Sequence, residues 1–259
     1  KWQENCEEER LLGVSLTGIM DNILTNGKTK GLEELLRKLR QVAVDTNLQW
    51  SKRLGIPQSA AITCVKPSGT VSQLVDSASG IHARHNPYYI RTVRADKKDP
   101  LAKMMYDAGF PVEDDVTKPD HTWVFSFPVR GPKNGIYRKD MTAVEQLELW
   151  RVYQENWCEH KPSITVSVKE EEWMGVGAWT YENFDMMSGV SFLPFADHTY
   201  RQAPYQDCDK IQYESLLKKM PDADWSKLAE YEEKDMTAGS QELACSADGC
   251  EVVDLSSVG

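Results

Sequence analysis

The stretch CVKPSGTVSQLVDSASGIHARH, residues 64–85, is the part of the chain from which its fold is best read. A short apolar run that includes β-branched residues, 60–65, leads into it and predicts a buried strand that ends at the Lys-Pro pair 66–67. Upstream, leucines at helical spacing over 31–54 predict a helix, and residues 11–20 begin with a further short strand. Strand, helix and strand in this order predict a parallel βαβ unit and an α/β fold.

Five residues directly after the predicted strand are suited to bind an anion. They offer three hydroxyls and a glycine that opens the backbone N–H groups to a ligand: Ser68, Gly69, Thr70, Val71 and Ser72. Successive N–H groups with hydroxyls form a concave anion site, and the start of a helix strengthens it. Two interpretations stay open, a phosphate cradle or a Ser/Gly turn that only caps its own helix.

Composition and charge exclude several classes of protein. Hydrophobic residues make up 41% and charged residues 27% of the 259-residue chain, which is typical of a soluble globular protein with one large or two small domains. The net charge of −10 argues against a general nucleic-acid-binding surface. No apolar run is long enough to predict a membrane span. Six cysteines are too few for a secreted disulfide scaffold and indicate a reducing compartment, the cytoplasm.

Two of the six cysteines, Cys245 and Cys250, form a pair near the C-terminus. Four residues separate them, and Gly249 allows the chain to turn back, so a disulfide between them is possible. A redox pair is the favoured interpretation, with a zinc half-site or two unrelated thiols as alternatives. Acidic neighbours should hold the thiol pKa values up, which suits an electron carrier better than a reactive nucleophile: Glu242, Asp248, Glu251 and Asp254. The remaining four are expected to be buried, small apolar side chains: Cys6, Cys64, Cys158 and Cys208.

Further elements follow from periodicity and capping residues. Strands are predicted at 88–93, 122–129, 164–168 and 191–195, and helices at 100–108, 141–158, 180–187 and 211–220. Thr142 with Glu145 three residues later forms a capping box for the second of these helices. The aromatic residues of that helix are expected to pack in the core. The acidic run 222–235 is expected to be solvated, and residues 234–259, which lack periodicity, to form a mobile tail.

Histidines and arginines cluster at the end of the organising stretch and just after it. His82 and His85 have a spacing compatible with metal ligands, although hydrogen bonding within a loop explains them at least as well, and neither is assigned a role. Arg84, Arg91 and Arg94 could supply positive charge to a triphosphate, although the last two fit a solvated strand face equally well.

Residues 64–94 together closely resemble adenosylcobalamin-dependent (class II) ribonucleotide reductases, in the monomeric ribonucleoside-triphosphate reductase branch. Three later segments extend the resemblance in order: WCEHKPSITV at 157–166, SFLP at 191–194 and HTYRQAPY at 198–205. The run PSGTVS, 67–72, is similar to the family's substrate-phosphate loop. The resemblance covers most of the chain, from about Leu11 to the tail.

The resemblance implies a fold and a function. Residues 1–233 would be the C-terminal part of a ten-stranded α/β barrel, and residues 234–259 a flexible redox tail. The enzyme would use adenosylcobalamin to reduce a ribonucleoside triphosphate to the 2′-deoxy product. Cys245 and Cys250 would carry electrons to an active-site disulfide, and thioredoxin or a similar dithiol would then reduce the pair. Neither a membrane nor a nucleic acid is expected as a partner.

Parts of the family's machinery have no counterpart in this sequence. The Asn-Pro-Cys-x-Glu type motif that carries the radical cysteine does not occur, so an N-terminal portion of the reductase is expected as a partner. Nine residues follow Cys250, where the family's tail usually ends sooner. Two other assignments stay open: a reductase of another class, or a non-catalytic phosphate-binding α/β module with a regulatory disulfide.

Overall fold

The computed structural model describes residues 1–69, 71–195 and 200–232, together with the backbone of residues 245, 246, 249 and 250. The chain divides into two compact units, Lys1–Arg84 with Gly131–Asp197, and His85–Arg130 with His198–Gly259. We call them unit 1 and unit 2 and describe each by itself. No helix in the described part of the chain is long and apolar enough to cross a bilayer.

Helices and strands alternate along most of the described chain. The α-helices are α1 (Trp2–Glu9), α2 (Leu32–Leu54), α3 (Val71–Leu74), α4 (Pro100–Asp107), α5 (Ala143–Asn156), α6 (Trp173–Glu182), α7 (Lys210–Leu217) and α8 (Leu228–Tyr231). The strands are β1 (Val14–Ser15), β2 (Thr63–Cys64), β3 (Tyr88–Asp96), β4 (Val112–Asp114), β5 (Thr122–Arg130), β6 (Ser163–Val168), β7 (Gly189–Pro194), β8 (Tyr205–Asp207), β9 (Cys245–Ser246) and β10 (Gly249–Cys250). Short 3-10 helices occupy Ile19–Asp21, Glu170–Glu172, Phe184–Met186 and Trp225–Lys227.

Unit 1 contains two parallel strand pairs. β1 pairs with β2, with Val14 opposite Thr63, and α2 connects them, which confirms the predicted βαβ unit. β6 pairs with β7 over six residues, also in parallel. The Ser163 N–H donates to the Val65 carbonyl at 3.4 Å, so β6 starts beside the chain that leaves β2. Residues 68–72, which we call the cradle, therefore come shortly after this parallel part of the fold in the chain.

The core of unit 1 is built on α5. Leu147, Trp150 and Tyr153 on this helix are fully buried and pack with the buried residues of β6. The Thr142 hydroxyl accepts the Glu145 N–H while the Glu145 carboxylate accepts the Thr142 N–H, so the predicted capping box is confirmed. The aromatic residues of this helix are core residues, as predicted.

Unit 2 is organised around an antiparallel sheet with the order β4-β5-β3-β8. β3 and β5 pair along their full length, from Tyr88 opposite Arg130 to Asp96 opposite Thr122. α4 contributes Ala102 and Met105 to a small core that includes Phe125 of β5. Both strands lie where the sequence predicts them, and each extends beyond the predicted bounds.

One predicted helix is displaced. In place of a helix over 180–187, the structure has α6 at Trp173–Glu182 and a short 3-10 turn at Phe184–Met186. Gly175 and Gly177 weaken the local helical signal, because glycine disfavours helix interiors. Val176 and Trp179 are nevertheless buried in the core of unit 1. Tertiary packing therefore outweighs local propensity in this segment.

The described cysteines divide into buried and accessible thiols. Cys64 and Cys158 are buried, as predicted, and burial with the neighbouring Cys64 raises the pKa of Cys158 to about 12, so its thiol stays neutral. Cys6 is exposed and Cys208 is partly exposed, so the prediction of a buried side chain is wrong for Cys6 and only partly right for Cys208. The acidic run after residue 222 is mostly exposed as far as residue 232, where the described part ends.

The low pKa of Asp115 in unit 2 predicts that the protein loses stability in acid. Burial alone raises its pKa, but hydrogen bonds from Thr117 and Arg94 outweigh this and lower the pKa to about 2. The folded pKa is thus below the unfolded value of 3.8, so this stabilisation is present above about pH 4 and is lost as the pH falls towards 2. We expect Asp115→Asn to flatten the fall in melting temperature between pH 5 and pH 2, approximate bounds that bracket the two pKa values. Circular dichroism melts measure this, with the exposed neighbour Asp114→Asn as the control; equal slopes for Asp115→Asn and wild type would contradict it.

Candidate functional site

The cradle begins at the end of β2 and runs into α3. Ser68 and Gly69 precede the helix, Val71 and Ser72 lie in its first turn, and Thr70 lies outside the described residues. The Ser68 N–H donates to the Ser79 hydroxyl at 2.7 Å, and the Ser68 hydroxyl accepts the Ser72 N–H at 3.0 Å. The second contact joins the Ser68 side chain, three residues before α3, to an N–H in the first turn of that helix and so satisfies one of its free donors.

This contact leaves several polar groups of the cradle without a hydrogen-bond partner or open to solvent. Gly69 is exposed, and apart from its two chain neighbours no residue has an atom within 4 Å of the place where a Cβ would stand. The Ser72 hydroxyl is buried and has no hydrogen-bond partner in the described structure. A hydroxyl that accepts one bond retains its own proton as a donor, so Ser68 can also donate outward. The geometry is therefore compatible with both helix capping and anion binding.

The loop that follows the cradle packs closely on the chain that enters it. Gly80 has a φ of +53°, and a Cβ at this position would lie 3.3 Å from the Lys66 carbonyl oxygen. The Thr17 hydroxyl bridges the loop, since it accepts the Gly80 N–H at 2.9 Å and donates to the Ala78 carbonyl at 3.0 Å. A side chain at residue 80 would strain the backbone and push the two segments apart.

The three arginines of the region are all engaged within their own units. In unit 1, Arg84 is buried and forms ion pairs with Asp21 and Asp76. In unit 2, Arg94 pairs with Asp115, and the Arg91 guanidinium lies 4.3 Å from the centre of the Tyr205 ring. Because two carboxylates balance its charge, Arg84 is poorly suited to the role of a cation for a triphosphate.

The two histidines serve different units. The His82 Nε2 accepts the Thr165 N–H at 2.9 Å, which leaves Nδ1 to donate to the Ser79 carbonyl at 3.1 Å. Burial lowers the pKa of His82, which favours this neutral form. The bond to Ser79 lies within the loop, as the hydrogen-bonding interpretation predicted, whereas the bond from Thr165 joins His82 to β6. In unit 2, the His85 Nε2 lies 2.5 Å from the Asp207 carboxylate. Among the described residues, no group of three or more metal-ligand side chains comes together.

Unit 1 contains two cavities that sequence reasoning did not identify. One, of about 520 Å³, is apolar and lies between α2 and β1, with Leu12, Val14, Leu39 and Trp50 in its wall. The other, of about 820 Å³, has a mixed lining of polar and apolar residues and lies where α2 and α5 begin. Neither includes a cradle residue. The helical spacing of the leucines in α2 is the sequence signal that could have pointed to the first cavity. Leu39 belongs to this series, but it is exposed in the wall of the cavity and is not packed in the core.

For Cys245 and Cys250 the structure describes the backbone and not the side chains. The backbone places β9 and β10 in an antiparallel pair with Cys245 directly opposite Cys250. Opposed residues in such a pair have Cα atoms roughly 4.5–5.5 Å apart, which is within the range that a disulfide spans.

Comparison with known proteins reveals a consistent set of relatives. No protein-family model matches the chain. An adenosylcobalamin-dependent ribonucleoside-triphosphate reductase from Euglena gracilis is 32% identical over 228 residues, which are 85% of this chain and 31% of that protein. A probable reductase of the same name from Dictyostelium discoideum is 31% identical over 85% of the chain, and one from Lactobacillus leichmannii is 26% identical over 82%. The chain spans about a third of the length of these relatives.

A solved structure agrees with these relatives at the level of fold. The crystal structure of a B12-dependent (class II) ribonucleotide reductase matches 90% of this chain and 36% of its own, with a TM-score of 0.78 and 23% sequence identity. The resemblance recognised from the motifs is therefore confirmed over most of the chain. The α/β fold of the chain is that of a part of this reductase.

Proposed function

We propose that the chain is the C-terminal part of an adenosylcobalamin-dependent ribonucleoside-triphosphate reductase, and that residues 68–72 bind the phosphates of its substrate. The similarity to named reductases over 85% of the chain carries the proposal. The reaction reduces the 2′-hydroxyl of a ribonucleoside triphosphate and so makes a precursor of DNA. A reductase of another class receives less support, because the relatives named above share one cofactor class.

The cradle would bind the phosphates through hydrogen-bond donors. The open backbone at Gly69 and the proton of the Ser68 hydroxyl are available on one short turn, and the buried Ser72 hydroxyl next to them has no hydrogen-bond partner among the described residues. Thr70, between Gly69 and Val71 in the sequence, would add a further hydroxyl. Hydrogen bonds to a charged acceptor are stronger than neutral ones, so a few such donors can hold a triphosphate in place.

The parallel strands of unit 1 support the assignment of residues 1–233 to a partial barrel. β1 pairs with β2 in a two-stranded sheet, and the apolar cavity of about 520 Å³ lies beside β1. Val14 of β1 and Val42 of α2 are exposed at this face. We propose that the N-terminal portion of the reductase continues the barrel here and covers the apolar surface.

The tail, residues 234–259, would act as the thiol shuttle. The register that opposes Cys245 and Cys250 supports a reversible disulfide between them, and thioredoxin or a similar dithiol would reduce it. The four cysteines whose side chains the structure describes are free thiols, which supports a reducing compartment, the cytoplasm.

The adenosylcobalamin of the proposed enzyme supplies the radical that begins the reaction. Neither cavity described above fits it, because volumes of about 520 and 820 Å³ suit drug-sized ligands and a cobalamin is larger. We therefore assign no residue of this chain to the cofactor and derive no step through it.

Thr70→Val tests the cradle in a full-length reductase that carries this chain. Valine keeps the shape of threonine and removes one hydrogen bond to a charged group, which is worth roughly 1.5–3 kcal/mol. We expect kcat/KM for the triphosphate to fall about 10- to 100-fold. Thr180→Val makes the same change on α6, a helix that contains no cradle residue, and should leave kcat/KM unaltered. An unchanged kcat/KM in Thr70→Val would remove this residue from the site.

A further inference from the structure

We propose that Arg84 is a positioning residue that sets the geometry of the cradle from the far end of α3. It would do so without contact with the substrate, because its guanidinium is already bound by two carboxylates. This inference rests on the proposed phosphate-binding role of residues 68–72 and concerns how the fold holds that site in shape.

Arg84 grips the chain directly after α3. Its Nη1 donates to the Asp76 carboxylate at 2.9 Å, and its Nη2 donates to the Asp76 backbone carbonyl. Asp76 has a φ of 47°, in the left-handed region that residues other than glycine adopt only at a cost. A two-point contact to the side chain and the main chain of one residue holds that unusual turn in place.

The same guanidinium anchors this turn to the core. Its Nε lies 3.1 and 3.0 Å from the two carboxylate oxygens of Asp21, and Asp21 also accepts the Ala78 N–H at 2.8 Å. Asp21 ends a 3-10 turn whose Ile19 and Met20 are each only 1% exposed. The loop after α3 is thus bound to a residue that directly follows two buried core residues of unit 1.

α3 needs such an anchor. It is four residues long, and a single helical turn is not stable by itself. Its start is held by the contacts of Ser68 with Ser79 and Ser72, and its end is held by the Arg84 contacts to Asp76. The direction of the N–H groups at its start therefore depends on both ends.

Charge and burial distinguish Arg84 from an ordinary surface ion pair. Its side chain is only 5% exposed, and it bridges two carboxylates that are 55 residues apart in sequence, at positions 21 and 76. Lysine keeps the positive charge but lacks the planar fork, so it cannot bind Asp21 and both groups of Asp76 together. Arg84→Lys is therefore the informative variant, because it tests the fork rather than the charge.

The experiment uses a full-length reductase that carries this chain, with two inhibitors that probe different parts of the substrate. Inorganic tripolyphosphate probes the cradle, and the matching nucleoside probes the remainder of the site. In Arg84→Lys we expect the inhibition constant of tripolyphosphate and the KM of the triphosphate to rise about tenfold. A rise of this size corresponds to the loss of roughly one charge-assisted hydrogen bond between the cradle and the phosphates. The inhibition constant of the nucleoside should stay unchanged.

Two further variants complete the design. Asp76→Asn removes a carboxylate that is 78% exposed, so this variant is expected to fold. It should weaken the binding of tripolyphosphate, but not of the nucleoside, and by less than Arg84→Lys does. Should Arg84→Lys fail to fold, Asp76→Asn decides the question. The control Arg151→Lys makes the same change at an arginine that pairs with Glu148 on α5, and it should alter neither inhibition constant.

The outcomes separate this inference from the proposed function. The positioning role would be overturned, and the cradle left intact, by either of two results. Either the variants weaken the binding of tripolyphosphate and of the nucleoside equally, or both Arg84→Lys and Asp76→Asn have wild-type inhibition constants. Failure of tripolyphosphate to inhibit the wild-type enzyme, with no effect of Thr70→Val, would overturn the cradle and this role with it.

Discussion

Replacing Cys245 and Cys250 together by serine is expected to abolish steady-state turnover driven by thioredoxin in a full-length reductase that carries this chain. If the pair only carries electrons, the first turnover does not need it, because the active-site thiols begin reduced. A burst of product stoichiometric with active sites should therefore survive. A small thiol such as dithiothreitol can enter the barrel and exchange directly, so it should rescue much of the lost rate.

Rapid-quench measurement of the burst and a coupled assay of the steady state distinguish the possible roles of the pair. The matched control is the double variant Cys6→Ser, Cys208→Ser, which changes two accessible thiols and should retain full turnover. Loss of the burst would show that Cys245 and Cys250 are structural or take part in the chemistry. Undiminished turnover with thioredoxin would show that they are not the shuttle.

The 259-residue chain alone is expected to form no deoxynucleotide when supplied with adenosylcobalamin, a ribonucleoside triphosphate and dithiothreitol. The reason is chemical, because the sequence has no Asn-Pro-Cys-x-Glu motif to carry a thiyl radical. Chromatographic detection of the deoxynucleotide is the measurement, and a full-length reductase assayed in parallel is the control. Product above background from the purified chain would contradict both the prediction and the proposed division of the enzyme.

The same chain is also expected to self-associate. Val14 lies in a two-stranded sheet, and the apolar cavity beside it is open to solvent along α2. Unpaired strand edges and apolar surfaces of this kind promote association. Analytical ultracentrifugation of the chain, with and without the N-terminal portion of the reductase, tests this; a cooperatively folding monomer would argue against a partial barrel.

Much of unit 1 could be predicted from the sequence. The leucine spacing of α2, the capping box of α5 and the short apolar strand β2 are local signals, and each gave the correct element. The order of strand, helix and strand also predicted the parallel pairing of β1 with β2. The motifs sufficed to recognise the reductase resemblance, because they depend on residue identity in short segments and need no knowledge of packing.

Local sequence signals did not predict how the strands of unit 2 pair. Residues 88–93 and 122–129 were predicted to be strands, but their antiparallel pairing in one sheet with β4 and β8 was not predicted. A strand carries the same alternating pattern whichever neighbour it joins, so its partner depends on the tertiary fold. α6 illustrates the same limit, since its glycines disfavour a helix that the core of unit 1 requires.

The candidate site divides in the same way. The sequence by itself determined which hydroxyls and which glycine form the proposed cradle, because a turn of this kind is a property of a few consecutive residues. Only the tertiary structure decided what holds the cradle in place, since Arg84 reaches Asp21 across 63 positions of sequence. Sequence suggested Arg84 as a cation for the substrate, whereas the structure surrounds it with carboxylates. The physical reason is that the surroundings of a buried charge are set by the packing of distant segments, and no local pattern records them.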